Sequence, residues 1–163
     1  MNNILAALLS VSSTTLSDEE KFLFEKYNPL GVTLFKRNLS STEQTKSLIS
    51  SIKETIGRDD VIIALDQEGG RVNRLNNIGF PSYTSQNILG QINSEEITSI
   101  HAKIIARDMK SVGANFNMAP VLDIDYPETT QALKNRTFGN DNEKISYLGK
   151  ILCNTYVNEG TIF

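Results

Sequence analysis

Short runs that are apolar at every position alternate along this chain with longer stretches whose apolar residues recur three and four apart. An unalternating apolar run suits a strand covered on both faces, whereas the wider spacing marks one face of a helix. Ile4 to Val11 reads as a first strand, although Ala6, Ala7 and the leucines after them would suit a helix equally well. Ser17 to Glu20 has capping-box spacing and opens a helix over Phe22, Leu23 and Tyr27, closed by Pro29 and Gly31. Gly31 to Phe35 is the second strand. Ser41 to Gln44 repeats the capping-box spacing, and Leu48, Ile49, Ile52 and Ile56 mark the buried stripe of a helix ending at Gly57. Val61 to Leu65 is the third strand, and an irregular loop runs from Asn76 to Gln91. A helix from Glu95 to Val112 carries Ile97, Ile100, Ile104, Ile105 and Met109 on one face and stops at Gly113. Asn115 to Leu122 is the fourth strand. Asn140 or Asp141 then caps a helix with Ile145, Leu148, Leu152 and Tyr156, and Thr161 to Phe163 begins another β-like run.

Strand-helix units repeating every 30 to 50 residues or so, without hairpin signals, predict right-handed βαβ connections and a parallel sheet. A small doubly wound sheet and part of a (β/α)₈ barrel both satisfy that pattern. In either, chemistry collects beyond the carboxyl ends of the strands. Polar clusters fall there three times: Lys36-Arg37-Asn38, Asp66-Gln67-Glu68 and Asp123-Ile124-Asp125.

The densest cluster lies in Val61 to Arg74, VIIALDQEGGRVNR. Its residue types fit a polyol. A carboxylate accepts from neighbouring hydroxyls, a guanidinium donates in a fixed fork, and paired glycines let the backbone turn tightly and approach a ligand. Capping, turn and surface roles would use the same residues, so chemistry alone leaves both readings open. Phosphate binding fits less well, because neither G-x-x-x-x-G-K-[ST] nor G-x-G-x-x-G is present and the adjacent carboxylates would repel an anion.

The 163 residues, 39% hydrophobic and 21% charged, match one soluble globular domain. A net charge of −3, with scattered lysines and arginines, gives no footprint for nucleic acid or an anionic membrane. Cys153 is the sole cysteine, so no intrachain disulfide can form, and its place on an amphipathic helix suits a small buried thiol better than a nucleophile. His101 is the sole histidine, read as a helix surface or boundary residue; a multi-histidine metal site is excluded, and neither metal nor cofactor is expected. Ile4 to Leu9 is too short to span a bilayer and lacks the flanks of a signal peptide, so the expected location is the cytoplasm.

As a string, ALDQEGGRVNRL is far more specific than its parts. It resembles the signature of family 3 glycoside hydrolases, above all the bacterial β-N-acetylhexosaminidases. GVTLFKRN (Gly31 to Asn38), NFNMAPVLDID (Asn115 to Asp125) and NRTFGND (Asn135 to Asp141) extend the likeness, in the family's order, over most of the chain. The resemblance decides between the two folds. It implies a TIM (β/α)₈ barrel truncated to about its first four strand-helix units, with residues 1–163 an incomplete catalytic domain. It implies retaining hydrolysis of terminal β-linked N-acetylglucosamine from cell-wall (peptidoglycan) fragments, through a covalent glycosyl-enzyme. The aspartate nucleophile and histidine acid/base of that family are expected beyond Phe163, which leaves this chain inactive alone.

Residue by residue, the resemblance carries over sugar binding to Asp66, Arg74 and Arg136. Glu68 and Asp123 rank second, and for both an ion pair with Arg71 or another neighbour is the preferred reading. The expected partner is an N-acetylglucosamine-containing saccharide, with self-association through exposed strand edges. A non-catalytic half-barrel that binds a sugar or pairs with another chain is the alternative.

Overall fold

The computed structural model describes residues 3–163. Four strands, β1 (Leu5–Ser10), β2 (Pro29–Leu34), β3 (Ile62–Leu65) and β4 (Phe116–Asn117), form one sheet in the order β1-β2-β3-β4, parallel throughout. That order separates the two candidate folds. A doubly wound sheet reverses its strand order at a switch point, whereas a barrel wall adds each strand beside the last. Helices α1 (Asp18–Tyr27), α2 (Thr42–Ile56), α4 (Glu95–Val112) and α5 (Asn142–Asn158) pack in sequence, α1 on α2, α2 on α4 and α4 on α5. The described residues are thus four consecutive units of a (β/α)₈ wall. Thr161 to Phe163 follows the rhythm, Ile162 bridging Phe116 in parallel.

The capping signals act largely as read. Ser17 accepts from the Glu20 amide while Glu20 returns to the Ser17 amide, and Asp141 caps α5 by accepting from Lys144. At α2 only half of the box forms. Ser41 accepts from the Gln44 amide, but the Gln44 side chain turns to the Ser40 amide and the Thr14 carbonyl, tying the β1-α1 loop to α2. The first helix ends at Asn28 in the left-handed conformation (φ 46°), and Pro29 and Gly31 belong to β2 instead of closing the helix.

Two buried stripes differ from expectation. On α1, Phe22, Leu23 and Tyr27 are exposed and Phe24 alone is buried. On α4, Ile97 and Ile100 face outward, while Thr98, His101, Ala102, Ile105, Asp108 and Met109 turn inward. The stretch from Asn76 to Gln91 is less irregular than its glycines and proline suggest. It contains a 3₁₀ turn at Leu75–Ile78 and the start of a helix, α3 (Gln86–Ile92), capped by Ser85.

The fourth strand is two residues long, not eight. Its neighbour Asn115 makes up part of the difference with its side chain, accepting from the Ile63 amide (2.7 Å) and donating to the Val61 carbonyl (3.0 Å). Pro120 has no N–H to continue the ladder, and Asp123 to Asp125 lie in irregular chain beyond it. Among the described residues no helix is long and apolar enough to cross a membrane.

Candidate functional site

Leu34 pairs with Leu65, so β2 and β3 end side by side and their polar clusters meet. Asp66 is the first residue past β3. The chain then turns back on itself, Glu68 and Gly69 both donating to the Val72 carbonyl, and returns Arg74 to Asp66. Arg74 Nη2 lies 2.6 Å from Asp66 Oδ2, with both side chains about three-quarters covered (24% and 22% exposed). The Arg74 guanidinium also sits 5.8 Å from the centre of the Phe35 ring, which carries Arg37 at 4.8 Å. An aromatic face with two cations against it joins the end of β2 to the site.

Arg136 arrives from the loop between β4 and α5. It grips Glu68 with two parallel bonds, Nε to Oε2 at 2.8 Å and Nη2 to Oε1 at 2.6 Å. Glu68 is only 4% exposed, and a fork of this kind is the strongest common way to satisfy a buried carboxylate. Its partner is thus Arg136 and not Arg71. That bond, ahead of the surrounding charges of Glu68, Asp66 and Asp123, raises the Arg136 pKa. Arg71 instead donates to the carbonyls of Gln131 and Ala132, and Arg136 Nη1 donates to the same Ala132 carbonyl at 3.0 Å. Two arginines therefore clamp the loop that carries one of them. Asp123 is exposed and joins no ion pair among the described residues, so the expected salt bridge is absent there.

Gly69 and Gly70 do turn the chain tightly, at φ 90° and 58°, but what approaches them is protein. A Cβ on Gly69 would lie 2.1 Å from the Thr84 carbonyl oxygen and 3.4 Å from His101 Cε1. His101 is therefore buried under the signature turn, not on the helix surface. Its Nε2 has no hydrogen-bond partner, its ring meets Tyr83 edge-on at 6.5 Å, and burial pushes its pKa down to about 4. Tyr83 donates to the buried carboxylate of Asp108 at 2.6 Å, which with its own burial raises the Tyr83 pKa. Nothing local in the sequence marks this cluster, whose members are 18 and 25 positions from Tyr83.

Burial raises the pKa of the Cys153 thiol, against a nucleophilic role. Among the described residues no group of three or more His, Cys, Asp or Glu side chains converges to hold a metal ion. The three sequence-singled residues meet at one end of the sheet: Asp66 and Arg74 in direct contact, Arg136 beside them through Glu68.

A parallel wall of consecutive strands with paired carboxylates and guanidinia at its carboxyl edge defines a barrel-type α/β protein with a polar mouth. The chain belongs to glycosyl hydrolase family 3, matching the model of the family's N-terminal domain over residues 2–160. A β-hexosaminidase of Hydrogenovibrio crunogenus is 32% identical over 151 residues, covering 89% of this chain and 42% of that protein. Native NagZ from Neisseria gonorrhoeae superposes with a TM-score of 0.86 at 30% identity, over 94% of this chain and 46% of NagZ. NagZ from the same organism in complex with N-trifluoroacetyl-D-glucosamine gives 0.85 at 28% identity, over 98% and 50%. The chain thus spans less than half the length of the curated relative it matches.

Proposed function

We propose that these residues form the sugar-binding part of a β-N-acetylhexosaminidase barrel, with Asp66, Arg74 and Arg136 holding a terminal N-acetylglucosamine. The observation that carries this reading is the pairing of Asp66 with Arg74 through a single carboxylate oxygen. Asp66 Oδ1 stays available to accept from a sugar hydroxyl, and the guanidinium keeps donors for a ring or acetamido oxygen. The complex of NagZ with an N-acylglucosamine supports the choice of sugar.

The full reaction in this reading is retaining hydrolysis of terminal β-linked N-acetylglucosamine from peptidoglycan fragments. A lone, half-buried cysteine suits a reducing, cytoplasmic setting for it. Asp66, Arg74 and Arg136 orient the sugar. The nucleophile and the proton donor come from strands outside these residues. A second reading, a non-catalytic half-barrel, is favoured by one feature: Asp66, Glu68, Arg71, Arg74 and Arg136 are all held by partners within these residues.

Calorimetric titration with N-acetylglucosamine tests the site common to both readings. Asp66→Ala, Arg74→Ala and Arg136→Ala should each weaken binding by about 2 to 5 kcal/mol, the usual loss when one partner of a covered charged hydrogen bond is removed. Lys103→Ala, on the exposed side of α4, should leave binding unchanged. Undiminished affinity in all three site variants would refute the assignment.

A further inference from the structure

Behind the Asp66–Arg74 pair lies a second layer of polar side chains that touches the site only through the backbone. Gln67 is fully buried. Its Oε1 accepts from the amides of Arg74 (2.9 Å) and Leu75 (3.1 Å), and its Nε2 donates to Asn73 Oδ1 (2.6 Å). One side chain thereby ties down three consecutive residues of the returning segment. Gln67 is held in turn by Asn117, at the end of β4. The Gln67 amide donates to Asn117 Oδ1 at 3.0 Å, and its carbonyl accepts from Asn117 Nδ2 at 3.1 Å. That same Nδ2 donates to the hydroxyl of Tyr156 on α5 at 2.9 Å, and both Asn117 and Tyr156 are buried.

Arg74 has reason to depend on this support. Its guanidinium has a single hydrogen bond at the tip, to Asp66, while its Nε is buried without a partner. A long side chain held at its end by one bond and the Phe35 face takes the rest of its direction from its root, and the root is the amide that Gln67 accepts from. Buried polar chains of this kind order a structure only when every member is satisfied. Here the chain runs from the last turn of α5, through Asn117 and Gln67, to the amide of Arg74.

We infer that Gln67 is a positioning residue for Arg74, itself fixed by Asn117 and Tyr156. The geometric claim stands independently. Its consequence for ligand affinity rests on the sugar-binding reading above. The test follows the ¹⁵N–¹H signal of Arg74 Nε in the labelled chain, assigned by its loss in Arg74→Lys, without and with N-acetylglucosamine. Gln67→Met keeps the length and removes the polar atoms. Gln67→Glu keeps the acceptor for the two amides, and Tyr156→Phe deletes one hydroxyl.

Gln67→Met should displace or broaden the Arg74 signal and weaken sugar binding about fivefold, the loss expected for one net hydrogen bond. Gln67→Glu should return the signal toward wild type, a rescue that simple loss of packing would not show. Tyr156→Phe should move it the same way by less, and it decides the matter if Gln67→Met fails to fold. An Arg74 signal unmoved in the variants that fold would overturn the proposal. A displaced signal in a protein that binds no N-acetylglucosamine would uphold the positioning and sink the sugar-binding reading instead.

Discussion

His101 ties the site to pH. Free histidine titrates near 6.5, and burial beneath Gly69 and against Tyr83 pushes this one down to about 4. Between those values the unfolded chain binds the proton that the folded chain refuses. Stability is therefore intact above about pH 6.5, declines as pH falls and loses its full increment below about pH 4. At pH 5 the loss is about 2 kcal/mol. Thermal unfolding should show a lower midpoint at pH 5 than at pH 7, and His101→Leu should flatten that difference; equal slopes in both proteins would contradict it. The residue was misread because Ile100 and Ile104 flank it, and a helix with isoleucines on two faces offers two plausible stripes. Asp66 and Arg74 stand in one long, specific string and Arg136 in a second, NRTFGND, and it is those strings, not their chemistry alone, that single them out in the sequence. The fork between Arg136 and Glu68 was not, since 68 positions separate the pair and no local pattern signals such a contact.

Elements were legible where a cap and a periodic stripe agreed, as in α2 and α5, and less so where tertiary contacts replaced them. The short β4 is the clearest instance. A run of apolar and asparagine residues reads as a long strand, yet Asn115 bonds the Ile63 amide of β3 and Asn117 bonds the backbone of Gln67 beyond it, both with their side chains, and the ladder stops after two residues. Helix α3 was hidden by Gly90, a residue that ordinarily weakens a helix. Its purpose is contact: a Cβ there would lie 1.9 Å from the Phe138 carbonyl oxygen, two residues beyond Arg136. Gly90→Ala should push α3 off that loop, costing about 1 to 3 kcal/mol as overpacking does. It should also weaken sugar binding through Arg136. A Gly90→Ala protein with wild-type melting temperature and affinity would show that α3 does not support the loop.

At the scale of the whole molecule, periodicity predicted a parallel sheet but not its strand order, which depends on how units pack side by side. The order β1-β2-β3-β4 leaves β1 unpaired on its outer side among the described residues, with Ile4 and Leu5 there 44% and 42% exposed. Such an edge recruits other chains. The 163-residue protein should show concentration-dependent association by analytical ultracentrifugation, reduced by Leu5→Lys. A dilute and concentrated monomer with sharp unfolding would favour a self-sufficient binding domain. It should also fail to turn over a chromogenic β-N-acetylglucosaminide, because in the proposed reaction these residues orient the sugar without attacking it. Turnover abolished by Asp66→Ala would require a catalytic pair among its own carboxylates.

The proposed sugar site is tested most directly by a ¹⁵N-edited NMR titration of this chain with N-acetylglucosamine. The amides of Asp66, Glu68, Gly69, Gly70, Arg74 and Arg136 should shift together along one saturating curve, leaving α1 and α2 unmoved. Shifts confined to another face, such as the groove of Leu122, Ile124 and Cys153 beside α5, or no shifts at millimolar sugar, would contradict it.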